Sequence, residues 1–133
     1  MKLDRSCNAV FYLVYHLIIV VKYRRKVFTR EDIVKDLKNK ITDISNRFEV
    51  EVIEQETDED HIHILFKAKP TLNITKYINL LKGISSRLLR TKYKNFLQDK
   101  LWGKSFWSNS YYLATSGNVS LAKLIQYVET QGK

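Results

Sequence analysis

The chain has 133 residues, enough for one domain with a real core and no disulfide staples. Its single cysteine, Cys7, excludes an internal disulfide and any zinc-finger or iron–sulfur array within one chain, and suits a reducing compartment. Lys and Arg total 23 against 14 Asp and Glu; the net charge of +9 points to an anionic partner, most commonly nucleic acid for a compact domain.

One proline and four glycines leave little room for linkers, and no repeat or low-complexity tract is present, so residues 1–133 read as a single domain. The first apolar run, Ala9–Val21, looks superficially like the apolar region of a signal peptide. It lacks a small-residue cleavage site, is followed directly by "KYRRK", and falls short of the ~20 residues that span a bilayer. Its β-branched and aromatic content predicts a strand buried on both faces, with His16 as a core or interface histidine. No membrane partner is expected, and the location is expected to be cytoplasmic, at the nucleoid.

Thr29 then caps a predicted helix whose first turn carries Glu31 and Asp32; Ile33, Leu37, Ile41, Ile44 and Phe48 recur at helical spacing. "EVEVIEQET" alternates like a half-exposed strand, "TDED" makes a turn, and "HIHILFKAK" returns as the hairpin partner. A second amphipathic helix spans about Ile74 to Tyr93, with Ile74, Tyr77, Ile78, Leu81, Ile84 and Leu88 as its apolar stripe. A loop of mixed charge leads to the strand "SFWSNSYYLAT", and a closing helix runs over about 119–131 with Leu121, Leu124, Ile125 and Val128 inward. The order is β-α-β-β-α-β plus a C-terminal helix: an α+β, ferredoxin-like antiparallel sheet with the first and third strands central.

Two of the chain's three histidines, His61 and His63, stand one residue apart on the third strand. Side chains alternate across a strand, so both imidazoles share a face. Ile62, Ile64 and Phe66 must meet the helices, which leaves His61 and His63 on the side the helices leave open. A pair of imidazoles alone does not make a metal site. On the last helix Tyr127 and Gln131 share a polar face, and Lys123 extends that row by one turn.

"DHIHILF", "KGISSRLLR", "LWGKSFWSNSYYLATSG" and "IQYVETQ" resemble the signature blocks of the single-tyrosine transposases of the His-hydrophobic-His (HUH) endonuclease superfamily. These are TnpA-type enzymes that move insertion sequences as single-stranded DNA; "YHLIIVVKYRRKVF" resembles their first strand, and the likeness runs from about Tyr15 to Gln131. The resemblance implies that His61 and His63 are metal ligands, that Gln131 is the third ligand, and that Tyr127 is the nucleophile carried by the C-terminal helix. The implied ion is Mg²⁺ or Mn²⁺. The implied reaction is metal-dependent cleavage and strand transfer through a covalent 5′-phosphotyrosine, on single-stranded DNA with hairpins near element ends, by a homodimer.

Lys123 is a possible support for the phenolate. Lys22, Arg24, Arg25 and Lys26 in the first loop, and Lys82, Arg87, Arg90, Lys92 and Lys94 in and just after the second helix, are candidate phosphate contacts. Trp107, Tyr111 and Tyr112 could stack on bases, although alternation assigns about half of such aromatics to the core. Two other readings stand beside the enzyme: a ferredoxin-like nucleic-acid-binding module without catalysis, and a domesticated relative that processes repeated palindromes.

Overall fold

A computed structural model describes residues 12–101, 103 and 105–115. Four strands, β1 (Leu13–Val21), β2 (Glu51–Asp58), β3 (His61–Ala68) and β4 (Trp107–Thr115), form one sheet in the order β2-β3-β1-β4. Every neighbouring pair is antiparallel. Helices α1 (Glu31–Arg47) and α2 (Ile74–Lys92) link the strands in the α+β, ferredoxin-like order, so β1 and β3 are central. The C-terminal helix expected over 119–131 lies outside the described residues.

Alternation divides the sheet into two faces. Tyr15, Leu17, Ile19 and Val21 of β1 join Ile62, Ile64 and Phe66 of β3 and the apolar residues of both long helices in the principal core. Ile18 and Val20 point the other way and make a second, small apolar cluster with Tyr112 and Ala114 of β4. Strand β1 therefore carries apolar residues on both faces, as its composition requires. Each fully buried Leu or Ile of this kind contributes on the order of 1.5–3 kcal/mol.

Strand β2 departs from simple alternation. Its register against β3 slips between Val52 and Glu54, which leaves Ile53 as an extra, exposed residue. Val52 packs on the principal core, while past the bulge Gln55 and Thr57 take that side, opposite Ile64 and Ile62. The bulge thereby puts Glu54, Glu56 and Asp58 on the face that carries the histidines, with Glu56 opposite His63 and Asp58 opposite His61. The turn to β3 is only Glu59 and Asp60, shorter than the tetrad expected.

The helices follow their periodicity with three differences. Arg30, not Thr29, is the N-cap of α1 and supplies no side-chain bond; Asp32 accepts from the Ile33 N–H instead. On α2, capped by Asn73, the buried stripe is Tyr77, Ile78, Leu81, Ser85 and Leu89, whereas Leu88 is half-buried. Ser85 is inside because Trp107 Nε1 donates to its Oγ at 3.0 Å while that hydroxyl donates to the Leu81 carbonyl at 2.6 Å. The expected mixed-charge loop contains a short helix, α3 (Lys94–Gln98), pinned by buried Leu97.

Candidate active site

Strand β3 carries His61 and His63 on the sheet face away from α1 and α2, because Ile62 and Ile64 are committed to the principal core. Both imidazoles are nearly inaccessible, at 6% and 3% exposure, so each ring nitrogen needs a partner or a function. His61 Nδ1 lies 2.8 Å from Asp60 Oδ1, and Arg24 Nε donates to the other oxygen of the same carboxylate at 2.8 Å. An ionised carboxylate only accepts, so His61 donates from Nδ1.

His63 meets a third histidine. His16 on β1 places Nδ1 3.2 Å from His63 Nε2, and the rings stack with centroids 5.4 Å apart. One nitrogen of that pair donates and the other accepts. His63 Nδ1 is buried and has no hydrogen-bond partner among the described residues. Burial, and then the neighbouring His16, lower the His63 pKa despite the opposing pull of Glu56. A neutral imidazole is the form that ligates metal. Burial alone would raise the Asp60 carboxyl, but the bonds from His61 and Arg24 and the guanidinium charge outweigh it and hold the group below its ordinary range.

Two imidazoles on one rigid strand, one held through Nδ1 by a carboxylate and the other with a buried nitrogen unbonded among the described residues, fit a divalent ion that takes further ligands elsewhere. Among the described residues, no group of three or more His, Cys, Asp or Glu is placed to hold a metal. Any further protein ligand must be of another type or lie beyond those residues. Gln131, Tyr127 and Lys123 lie outside the described residues.

The basic candidates separate into two settings. Lys22, Tyr23 and Arg24 form a tight turn after β1, and Tyr23 is 70% exposed. With Arg25, Lys26, Asp99 and Lys100, Tyr23 and Arg24 line a cleft of about 360 Å³. Lys26 stands 3.7 Å from Glu59, a loose surface pair. On α2, Lys92 reaches Asp36 of α1 at 2.8 Å, so that cation ties two helices together. Lys82 is half-buried, donates to the Asn109 carbonyl at 3.3 Å and lies over the Tyr111 ring; burial lowers its pKa. Arg87 is exposed, and Arg90 is half-buried with Nε and Nη2 unbonded among the described residues. Trp107 is core, Tyr111 packs against it, and Tyr112 covers Ile18 and Val20 on the histidine face.

A model of the family described as "Transposase IS200 like" matches residues 9–131. The chain belongs to this family. It is 35% identical over 131 residues to the ISDra2 transposase TnpA of Deinococcus radiodurans, which covers 98% of this chain and 92% of that protein. It is 32% identical over 119 residues to the transposase for insertion sequence element IS200 of Salmonella typhimurium, covering 88% and 75% of the two chains. A crystal structure from Deinococcus radiodurans R1, described as that of a transposase, superposes with a TM-score of 0.83 over 98% of both chains at 32% identity. A REP-associated tyrosine transposase bound to a REP hairpin shares the fold at TM-score 0.60 and 11% identity, covering 97% of this chain and 69% of its own.

The reading of this IS200-like transposase from sequence missed Asp60 and the place of His16. Asp60 sits directly before His61, in the "DHIH" run, but nothing in periodicity says that a turn carboxylate will fold back onto the next side chain. His16 would have been found by pairing β1 with β3, which sets Ile18 opposite His63 and His16 two residue pairs along, on the same face.

Proposed function

We propose that this IS200-like transposase cleaves and rejoins single-stranded DNA through Tyr127, with a Mg²⁺ or Mn²⁺ ion held by His61, His63 and Gln131. The observation that carries the reading is the pair of buried imidazoles on the helix-free face of a central strand, one of them already held by a carboxylate. When bound, the ion would supply Lewis-acid stabilisation of charge on a non-bridging phosphate oxygen.

The Tyr127 oxygen forms a bond to phosphorus as the bond from phosphorus to the 3′ oxygen breaks, and the departing oxygen takes up a proton to leave a free 3′-hydroxyl. The 5′-phosphotyrosine keeps the ester bond energy, so another 3′-hydroxyl can attack it, release the phenol and join strands without ATP. Free tyrosine ionises near pH 10, so the phenol needs local activation; Lys123 is the proposed neighbour that favours the phenolate. His61 and His63 contribute by staying fixed: Asp60 orients the first ring and the His16 contact restrains the second.

The substrate is single-stranded DNA carrying hairpins near element ends, and the working unit is a homodimer. The hairpin reading draws support from the REP hairpin held by the fold neighbour and from the basic cleft with its exposed Tyr23. Tyr127→Phe is expected to abolish the covalent adduct on a single-stranded hairpin while leaving hairpin affinity within about twofold, since one phenol oxygen contributes little to ground-state binding. His61→Ala and His63→Ala are each expected to lose cleavage, with no rescue by higher protein concentration. Undiminished cutting by either variant in the presence of a chelator would remove the metal from the mechanism. Hairpin binding by a wild-type protein that never forms an adduct would instead favour a non-catalytic binding module.

A further inference from the structure

Arg24 belongs to the basic run "KYRRK", which suggests a phosphate contact, yet its Nε is committed to a buried carboxylate. We propose that Asp60 and Arg24 are positioning residues for His61: the carboxylate selects which imidazole nitrogen faces outward, and the guanidinium holds the carboxylate in place. The inference rests on the proposed reading of His61 as a ligand.

Three observations carry it. Both Asp60 oxygens are occupied, Oδ1 by His61 Nδ1 and Oδ2 by Arg24 Nε, each at 2.8 Å. A carboxylate bridged in this way cannot rotate to either partner alone, and by accepting from Nδ1 it leaves Nε2 as the His61 nitrogen that can ligate. Asp60 is only 8% exposed and His61 6%, so the bonds operate away from bulk water. Arg24 also neutralises a charge that would be costly to bury alone.

The backbone is built around the same contact. Val21 N–H donates to the Asp60 carbonyl at 2.9 Å, and Phe28 N–H to the Glu59 carbonyl at 3.0 Å, so the β2–β3 turn is fastened to both ends of the loop that follows β1. Within that loop Tyr23 and Arg24 have φ of 57° and 54°, a left-handed conformation that costs roughly 1–2 kcal/mol per non-glycine residue. Two consecutive residues in that region turn the chain so that Arg24 meets the hairpin. Such an arrangement persists where the surroundings over-determine it, and sites are where this happens.

The test compares wild type with Asp60→Asn, Arg24→Ala and Arg24→Lys by three readouts: imidazole ¹⁵N shifts of His61 in the metal-free protein, Mn²⁺ affinity by calorimetry, and the salt dependence of single-stranded DNA binding. Wild type is expected to show His61 as one tautomer with the proton on Nδ1. Asp60→Asn can offer an N–H to the ring instead of an acceptor, so the fixed tautomer is lost and Mn²⁺ affinity falls about 10–100-fold. Arg24→Ala lowers Mn²⁺ affinity with an unchanged salt slope, and Arg24→Lys, which keeps charge without the Nε fork, falls between it and wild type.

A phosphate-contacting Arg24 would instead reduce the slope of log K against log salt by about 0.7 and leave Mn²⁺ affinity alone, which would overturn its positioning role. A His61 tautomer and Mn²⁺ affinity unchanged in a folded Asp60→Asn variant would overturn that of Asp60. Mn²⁺ binding equal in wild type and His61→Ala would sink the ligand reading, and the tautomer measurement would still decide on the positioning role by itself.

Discussion

Ser85 illustrates how single residues depart from pattern in this chain. It occupies an apolar stripe because it satisfies the buried indole N–H of Trp107 from β4. Ser85→Ala is expected to cost about 1–3 kcal/mol, the penalty of stranding a buried donor, read as a lower urea midpoint with an unchanged slope. Ser85→Gly, which also loses the hydroxyl, should cost more, since glycine adds backbone entropy in a helix interior. The histidine face was legible at this scale because alternation is a property of the strand itself. The Arg24–Asp60–His61 chain was not, because it depends on where a turn from one part of the sequence meets a loop from another.

At the scale of elements, the two long helices are joined by a buried polar contact as well as by apolar packing. The Tyr77 hydroxyl on α2 lies 2.6 Å from Ser45 Oγ on α1, and Ser45 donates in turn to the Ile41 carbonyl at 2.7 Å, so Tyr77 is the donor between them. Burial pushes the Tyr77 pKa up to about 12. The folded state therefore keeps the phenol proton to higher pH than the unfolded chain does. Its contribution is full below about pH 10 and is lost as pH rises toward about 12, an alkaline loss of about 2–3 kcal/mol. Tyr77→Phe is expected to lose about 1 kcal/mol at neutral pH and to show a shallower decline of melting temperature between pH 9 and 11. A decline identical to wild type would place the alkaline titration in other groups.

Element order and type were readable from hydrophobic period, but their fine structure was not. Helix α3 has five residues, too few to show a period, and the β2 bulge changes the facing of every residue after it without altering composition. The bulge is what brings Glu56 opposite His63, where its charge tempers the depression of that imidazole's pKa.

For the whole molecule, the charge of +9 does not act as one surface. Lys92 serves the α1–α2 contact through Asp36 and Arg24 serves Asp60, while Tyr23, Arg25, Lys26 and Lys100 gather at one cleft. Lys26→Ala is expected to weaken single-stranded DNA binding and to lower its salt slope by about 0.7, whereas Lys92→Ala leaves the slope unchanged and costs under about 1 kcal/mol in stability. Equal slopes for both variants would detach the cleft from DNA. The measurement that bears most directly on the proposed chemistry is mass-spectrometric mapping of the covalent adduct formed on a single-stranded hairpin with Mn²⁺. A nucleotide linked to Tyr127, absent with chelator and absent in His63→Ala, is the expected result. A nucleotide on a different residue, or an adduct that survives removal of metal, would contradict it.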